Sequence, residues 1–136
     1  MVIRKAKISE IEKIKQLFDS FKEMDIILET FPKNYYKRIL EKGILIVAVE
    51  SEELLGSCFG TYNLKEKWAD LLGLAVKKEF QKQRIGSSLI KEFEMICKEK
   101  KLKTIDLYSD KAQINLFEKL KYTKERTYTS FRKKLK

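Results

Sequence analysis

The stretch that most constrains the fold is residues 71–89, where a short apolar run passes through a basic turn into a helical repeat. The run at 71–76 has the length and composition of a buried strand. After the turn, apolar residues recur at spacings of about three and four: Ile85, Leu89, Phe93, Ile96 and Cys97. That periodicity predicts a helix. A buried strand is therefore expected to turn sharply into a helix through residues 81–86.

Such a turn creates an anion site at the start of the helix. The first amides of a helix have no partner inside it, and they lie at the positive end of the helix dipole. Gly86 would let a ligand approach this backbone closely. The sequence therefore predicts a site suited to a pyrophosphate.

Two stretches carry a resemblance to GCN5-related N-acetyltransferases. Gln81-x-x-Arg84-Ile85-Gly86 resembles that family's Gln/Arg-x-x-Gly-x-Gly/Ala motif, and residues 74–76 match the Leu-x-Val segment before it. Arg84 stands where the first glycine is usual. Residues 116–122 resemble the family's Leu-Tyr-x-Lys-x-Gly-Phe. There Phe117 replaces the tyrosine, and Lys121 and Tyr122 replace Gly-Phe.

The predicted elements follow the order β-α-α-β-β-β-α-β-α-β-β. Strands are predicted at 2–7, 44–49, 54–63, 68–76, 104–108, 124–126 and 129–134. Helices are predicted behind a capping box at Ser9, from Pro32 to Gly43, at 85–100 and at 112–120. Gly73 inside the central strand suggests a bulge or a close backbone approach. The resemblance implies an α/β (α+β) acyl-CoA N-acyltransferase fold in one domain, residues 1–136. Its mixed sheet would have about seven strands and four flanking helices, and would splay after the fourth strand.

Composition narrows the chemistry. The chain has no histidine, which excludes Ser-His-Asp and Cys-His catalysis and the common zinc sites. Cys58 and Cys97 lie in apolar contexts and are expected to be buried free thiols in a reducing compartment. The net charge of +10 favours polyanionic ligands. No signal peptide or membrane span is expected, so the predicted location is cytoplasmic.

The resemblance implies transfer of an acetyl group from acetyl-CoA to a primary amine, by direct attack in a ternary complex and without a metal. The residues that it assigns to acetyl-CoA lie on the central strand, the turn and the two later helices. They are Leu74, Ala75, Val76, Gln81, Lys82, Gln83, Arg84, Ile85, Gly86, Ser87, Ser88, Asn115 and Phe117. The outward amides of residues 83–88 would contact the pyrophosphate, and Leu74 and Val76 would pair with the pantetheine.

Three catalytic tasks follow from that reaction. An alkyl amine is mostly protonated at neutral pH, so a base must remove a proton. Asp70 occupies the position of the family's strand glutamate, with a solvent-facing role as the alternative and Glu79 as second choice. The Leu74 amide would stabilise the oxyanion. Phe117 cannot protonate the leaving thiolate, so either Tyr108 or Tyr122 replaces the missing acid or the thiolate leaves unassisted, which its stability near neutral pH favours.

Two other classes of function stay open. Phe117 also fits an acyl-CoA-binding protein that is weakly active or inactive. The basic and aromatic C-terminal residues fit a nucleic-acid-binding module, which the strand pattern disfavours. They are Arg126, Tyr128, Phe131, Arg132, Lys133 and Lys134. The acceptor would be a small molecule or a peptide amine, lined by residues 24–31, the second helix, Tyr62 and the late strands. A homodimer remains open.

Overall fold

The computed structural model describes residues 1–21, 31–81, 83–107, 114–125 and 131–135, and only the backbone of residues 114 and 115. Its five strands are β1 Val2–Lys5, β2 Ile44–Glu50, β3 Glu53–Asn63, β4 Trp68–Val76 and β5 Thr104–Leu107. Its helices are α1 Ile11–Asp19, α2 Lys33–Lys42, α3 Ile85–Glu99 and α4 Ile114–Lys119. Short 3₁₀ turns precede α1 and follow β4, at Ile8–Glu10 and Lys78–Phe80.

The strands form one mixed sheet in the order β1-β2-β3-β4-β5. The first four strands pair antiparallel, and β5 joins β4 in parallel. The parallel pairing links Trp68–Leu71 to Thr104–Leu107. The predicted α/β fold and its central strand are therefore confirmed. β5 ends at Leu107, and residues 108–113 lie outside the described residues.

Alternation along the strands divides the core into two layers. The layer called here the α3 face joins strand residues to α3 and α4. Its members include Ile46, Cys58, Ala69, Leu71, Leu89, Phe93, Cys97 and Phe117. The opposite layer, the α1/α2 face, includes Ile14, Leu17, Tyr36, Leu45, Val47, Phe59 and Ala75. Cys58 and Cys97 are buried free thiols, as predicted, and burial raises the pKa of Cys97 to about 11.

Two sequence-based expectations were wrong in detail. The capping box does not centre on Ser9, because α1 begins at Ile11 after a 3₁₀ turn. The Glu10 carboxylate instead accepts a hydrogen bond from the Lys7 amide at 2.8 Å and forms a two-bond ion pair with Arg4 on β1. The pair lies at a strand–helix junction that local spacing does not reveal.

The two late strands are also not seen among the described residues: 124–125 and 131–134 belong to no strand, and residues 126, 129 and 130 of the predicted strands lie outside the described residues. Phe131 is 91% exposed. Side chains that bury no apolar surface do not stabilise an added strand. The described sheet therefore has five strands instead of about seven. Within the described ranges, no helix is both long and apolar enough to cross a membrane.

Candidate functional site

A β-bulge interrupts the middle of β4. Phe59 on β3 pairs with Gly73, whereas the next residue, Gly60, pairs with Leu71. Leu72 is therefore an extra residue without a partner on β3, and it is 46% exposed. The prediction of a bulge or close approach at Gly73 is confirmed.

Beyond the bulge, the backbone of β4 turns the polar groups of two residues away from β3. The Lys77 amide donates to the Leu55 carbonyl on β3 at 2.9 Å. Backbone groups alternate in direction along a strand, so those of Leu74 and Val76 point the other way. The Val76 carbonyl accepts a hydrogen bond from the Gln81 side chain at 3.1 Å, which agrees with that direction. Gln81 thus ties the turn to the end of the strand.

The turn into α3 has a left-handed residue at its end. Arg84 is the N-cap of α3, with φ 66° and ψ 15°, and its side chain makes no capping hydrogen bond. Glycine adopts this conformation without a Cβ penalty, which explains why the family motif usually has glycine at this position. Ile85, the first residue of α3, is 3% exposed and anchors the helix in the core.

The amides that this helix offers are fewer than the sequence suggested. The amide and the hydroxyl of Ser88 both donate to the Arg84 carbonyl, at 3.0 and 2.9 Å. Ser88 therefore does not present a free amide, which corrects the predicted set of 83–88. The amides without an intrahelical partner are those of Arg84, Ile85, Gly86 and Ser87, because these are the first four of the helix.

Three elements converge on Gly86. A Cβ placed there would lie 3.9 Å from Val76 Cγ2, 3.9 Å from Leu116 Cδ2 and 4.0 Å from Leu74 Cδ2. The end of β4, the start of α3 and α4 thus meet where no described strand pairs with β4 on its side away from β3. The structure brings together the predicted residues Leu74, Val76, Gln81, Arg84, Ile85 and Gly86. Lys82 and the side chain of Asn115 lie outside the described residues.

Asp70 lies on the other side of the bulge. Its neighbours Ala69 and Leu71 are buried in the α3 face, so Asp70 points to the α1/α2 face. It is half-buried and stands opposite Thr61 on β3 and Asp106 on β5. Burial, and then the Asp106 carboxylate, raise the pKa of Asp70 above its ordinary value. Glu79, the second-choice base, is exposed on the 3₁₀ turn.

Phe117 and Tyr122 pack together in the α3 face, with ring centroids 5.7 Å apart. The Tyr122 hydroxyl is buried and has no hydrogen-bond partner among the described residues. Burial, followed by the nearby Glu94, raises the pKa of Tyr122. Tyr122 lines a cleft of about 390 Å³ with Glu94, Cys97 and Thr104. That cleft is at the C-terminal half of α3, so Tyr122 is not brought to the Gly86 edge. Tyr108 lies outside the described residues.

Two residues near the bulge, Asp106 and Phe59, were not predicted as site residues from the sequence. Asp106 alternates with Ile105 and Leu107, a signal that places it on the polar side of a strand. Its register with Asp70 arises from pairing between distant segments. Phe59 reads from sequence as an ordinary apolar strand residue, yet its ring lies against Gly73.

Comparisons with known proteins agree with this geometry. The family model described as "Acetyltransferase (GNAT) family" matches residues 11–122. An aminoglycoside acetyltransferase from an uncultured soil metagenomic sample has a similar structure, with a TM-score of 0.78 and 22% identity over 99% of this chain and 96% of that one. A Pyrococcus furiosus protein described as an acetyl transferase has the same TM-score and identity, over 96% and 98% of the chains.

A transcriptional regulator from Bacillus halodurans C-125 is equally similar, with a TM-score of 0.78 and 22% identity over 96% and 98% of the chains. At this level of identity these structures establish the fold alone. No curated protein matches the sequence. The family match covers most of the chain and includes both stretches that carry the resemblance. The chain therefore belongs to the GNAT acetyltransferase family.

Proposed function

We propose that the protein transfers the acetyl group of acetyl-CoA to a primary amine, by direct attack within a ternary complex. One observation carries this proposal. The outward backbone groups of Leu74 and Val76 and the uncapped start of α3 at Gly86 lie together directly after the bulge, at an edge of β4 that pairs with no described strand. Such an edge can pair with an extended amide-containing chain and bind a pyrophosphate at its end.

Binding of acetyl-CoA divides between strand and helix. The amides of Ile85, Gly86 and Ser87 would donate to the pyrophosphate, and the exposed Arg84 guanidinium would add a charge-assisted contact. Gln81 would keep the turn in place through its bond to the Val76 carbonyl. Lys82 and Asn115 remain predicted contacts. The proposed reaction requires neither a histidine nor a metal ion, since direct attack needs only a neutral amine and a bound thioester.

The proposed base is Asp70. It is adjacent to the bulge, and its raised pKa makes its carboxylate a better proton acceptor than an ordinary aspartate. The Leu74 amide, the first outward amide after the bulge, would donate to the oxyanion that forms as the amine adds to the thioester carbonyl. The proton of the amine passes to Asp70, directly or through water, and the C–S bond then breaks to release the thiolate.

The thiolate leaves without a dedicated acid in this proposal. Phe117 has no proton to give, and the Tyr122 hydroxyl is buried at the far end of α3. A thiol has a pKa near ~8.5, so its thiolate is a tolerable leaving group at neutral pH. Tyr108 stays a candidate acid that the described residues do not test.

A second candidate function rests on Phe117 itself. Phe117 is buried and stands where the family has its acid. A protein that binds acyl-CoA without efficient transfer would have such a residue there. The two functions make the same prediction for acetyl-CoA binding and opposite predictions for turnover. Phe117→Tyr would restore the acid and raise a weak activity.

The test pairs calorimetry with an acceptor panel. Acetyl-CoA and CoA are titrated into the protein, and thiol release is then followed with small amines, aminoglycosides, peptide N-termini and lysine peptides. The proposal expects binding and saturable turnover with at least one class. Binding without turnover on the whole panel, with turnover gained in Phe117→Tyr, would favour the second candidate. If neither acetyl-CoA nor CoA binds, both candidate functions are refuted.

A further inference from the structure

Two phenylalanine rings flank the bulge of β4, one from each layer of the core. A Cβ on Gly73 would lie 2.6 and 2.8 Å from Phe59 Cζ and Cδ1, on the α1/α2 face. A Cβ on Gly60 would lie 2.7 and 2.8 Å from Phe93 Cζ and Cε2, on the α3 face. Gly60 and Gly73 border the register shift itself. Each ring thus occupies the space that a side chain would need at a bulge residue.

Both rings are held by their surroundings. Phe59 is 2% exposed and contacts Phe18 of α1 and Tyr36 of α2, with ring centroids 5.0 and 5.6 Å away. Phe93 is fully buried on α3. The rings therefore connect the bulge to the helices of both layers. We call the arrangement of Phe59 on Gly73 and Phe93 on Gly60 the bulge clamp.

The bulge decides which backbone groups face outward. A β-strand has a period of two, so removing the extra residue Leu72 from the register would exchange the two sides for every later residue. Leu74 and Val76 would then leave the α3 face, and their polar groups would turn toward β3. The register of the whole second half of β4 depends on keeping one unpaired residue at this point.

We infer that Phe59 and Phe93 are positioning residues for acyl transfer, and that they act by holding the bulge and hence the direction of the Leu74 amide. This inference rests on the proposed function, because it assigns the clamped backbone to the thioester. In this inference, the start of α3 binds the nucleotide end of the cofactor, and the bulge clamp positions the Leu74 amide at the thioester end. A clamp variant should therefore lose turnover while it keeps affinity for CoA.

The central test is Phe59→Leu, which shortens the ring to an apolar side chain that no longer covers Gly73. We expect turnover to fall about thirtyfold, because small displacements of a reacting group have effects of this size. Affinity for CoA should change less than about threefold. The matched control is Phe21→Leu, which removes a ring from the α1/α2 face that makes no ring contact with Phe59 among the described residues. It should keep turnover within about threefold, even if its unfolding midpoint falls as far.

A double-mutant cycle adds a further test, because the second substitution is expected to restore activity that the first one removes. Gly73→Ala places a methyl group in the Phe59 ring and should lower turnover about a hundredfold. Phe59→Leu makes room for that methyl group, so the double variant should be at least tenfold more active than Gly73→Ala. If Gly73→Ala does not fold, Phe59→Leu and its control still decide the question. Additive losses in the cycle, or equal losses in Phe59→Leu and Phe21→Leu, would overturn the inference.

Amide hydrogen exchange separates failure of the clamp from failure of the proposed function. The amides of Gly73 and Ala75 face β3, as the Lys77 amide does, so their exchange should speed up in Phe59→Leu by at least tenfold, while exchange in β2 stays near the wild-type rate. This readout needs no substrate. A wild-type protein that acetylates nothing, with local exchange changed as expected, would refute the proposed function and retain the clamp. Unchanged exchange of the Gly73 and Ala75 amides would refute the clamp in an active enzyme.

Discussion

The bulge in β4 and the turn into α3 both break regular backbone, but they do so with opposite kinds of residue. At the bulge, Gly60 and Gly73 have ordinary negative φ and are needed because rings and backbone fill the space of a Cβ. At the turn, Arg84 carries the left-handed conformation that glycine usually takes. None of the five glycines has a positive φ, whereas six other described residues do.

This difference shows that glycine has two structural roles, which a sequence motif alone does not distinguish. A missing Cβ can relieve backbone strain, of about 1–2 kcal/mol for a left-handed residue, or it can admit a close neighbour. At the turn, Arg84 is strained in the left-handed conformation, and its guanidinium lies near the proposed phosphate site. At the bulge, a side chain on Gly60 would collide with its neighbours, which include the Asp70 carbonyl oxygen. A substitution should therefore be far more damaging at the bulge than at the turn.

The largest expected effect is on stability, at Gly60. A methyl group there meets the Asp70 carbonyl oxygen and the Phe93 ring, and a backbone neighbour cannot move aside easily. Gly60→Ala should lower the free energy of unfolding by about 3 kcal/mol. Urea unfolding with an unchanged m-value measures it. The matched variant is Gly86→Ala, whose Cβ would have no atom nearer than 3.9 Å and should change stability by less than about 1 kcal/mol. Equal losses at the two glycines would contradict the comparison.

The next effect concerns chemistry on the bulge side. Asp70→Asn removes the proposed base and should cut turnover about a hundredfold at neutral pH, near 2.7 kcal/mol in the barrier. Affinity for CoA should stay near the wild-type value. The loss should shrink toward pH 10, where the amine is already neutral. A loss that is constant from pH 7 to 10 would point to a structural role instead.

Asp106→Asn serves as the partner of that variant, because it changes the surroundings of the base and keeps the base itself. Asp70 accepts a proton only when it is ionised, so activity should fall as the pH drops through its raised pKa. Removing the Asp106 charge lowers the pKa of Asp70, and the acid limb of the rate profile should move to lower pH. A limb that moves to higher pH, or an unchanged limb, would show that Asp106 does not act on the base.

The sequence predicted the two regions to different depths. Gly73 inside an apolar strand was enough to predict the bulge, and the Gln81-to-Gly86 motif was enough to predict the turn, because both signals are local. The rings of Phe59 and Phe93, the pairing of Asp70 with Asp106 and the ion pair of Arg4 with Glu10 were not predictable. Each depends on register or packing between segments far apart in the chain. The motif also could not tell that the Ser88 amide is used inside the helix.

On the turn side, the expected effect is on binding. Gly86→Leu places a branched side chain where β4, α3 and α4 converge, next to the amides proposed for the pyrophosphate. Affinity for CoA should fall at least about tenfold, roughly 1.4 kcal/mol. Turnover at saturating acetyl-CoA should fall much less, in contrast to Asp70→Asn. A folded Gly86→Leu protein with unchanged CoA affinity in calorimetry would refute the assignment of this edge to the cofactor.

The smallest effect comes from Arg84, where a pair of variants separates strain from charge. Arg84→Ala removes the guanidinium and keeps a Cβ in the left-handed conformation. Arg84→Gly removes both. Each should weaken CoA binding by about threefold to fivefold if the guanidinium contacts a phosphate, because a charge pair at an exposed side chain contributes at most about 1 kcal/mol.

The two Arg84 variants should differ in stability instead. Relief of the left-handed strain favours Arg84→Gly, and the greater freedom of glycine in the unfolded chain offsets part of the gain. Arg84→Gly should therefore be more stable than Arg84→Ala by about 0.5–1 kcal/mol, measured by urea unfolding. Equal CoA affinities with that stability gap would show that the turn exchanges a small strain for a phosphate contact. If both variants bind CoA as tightly as the wild type, Arg84 has no role in binding, and no phosphate contact compensates for its left-handed strain.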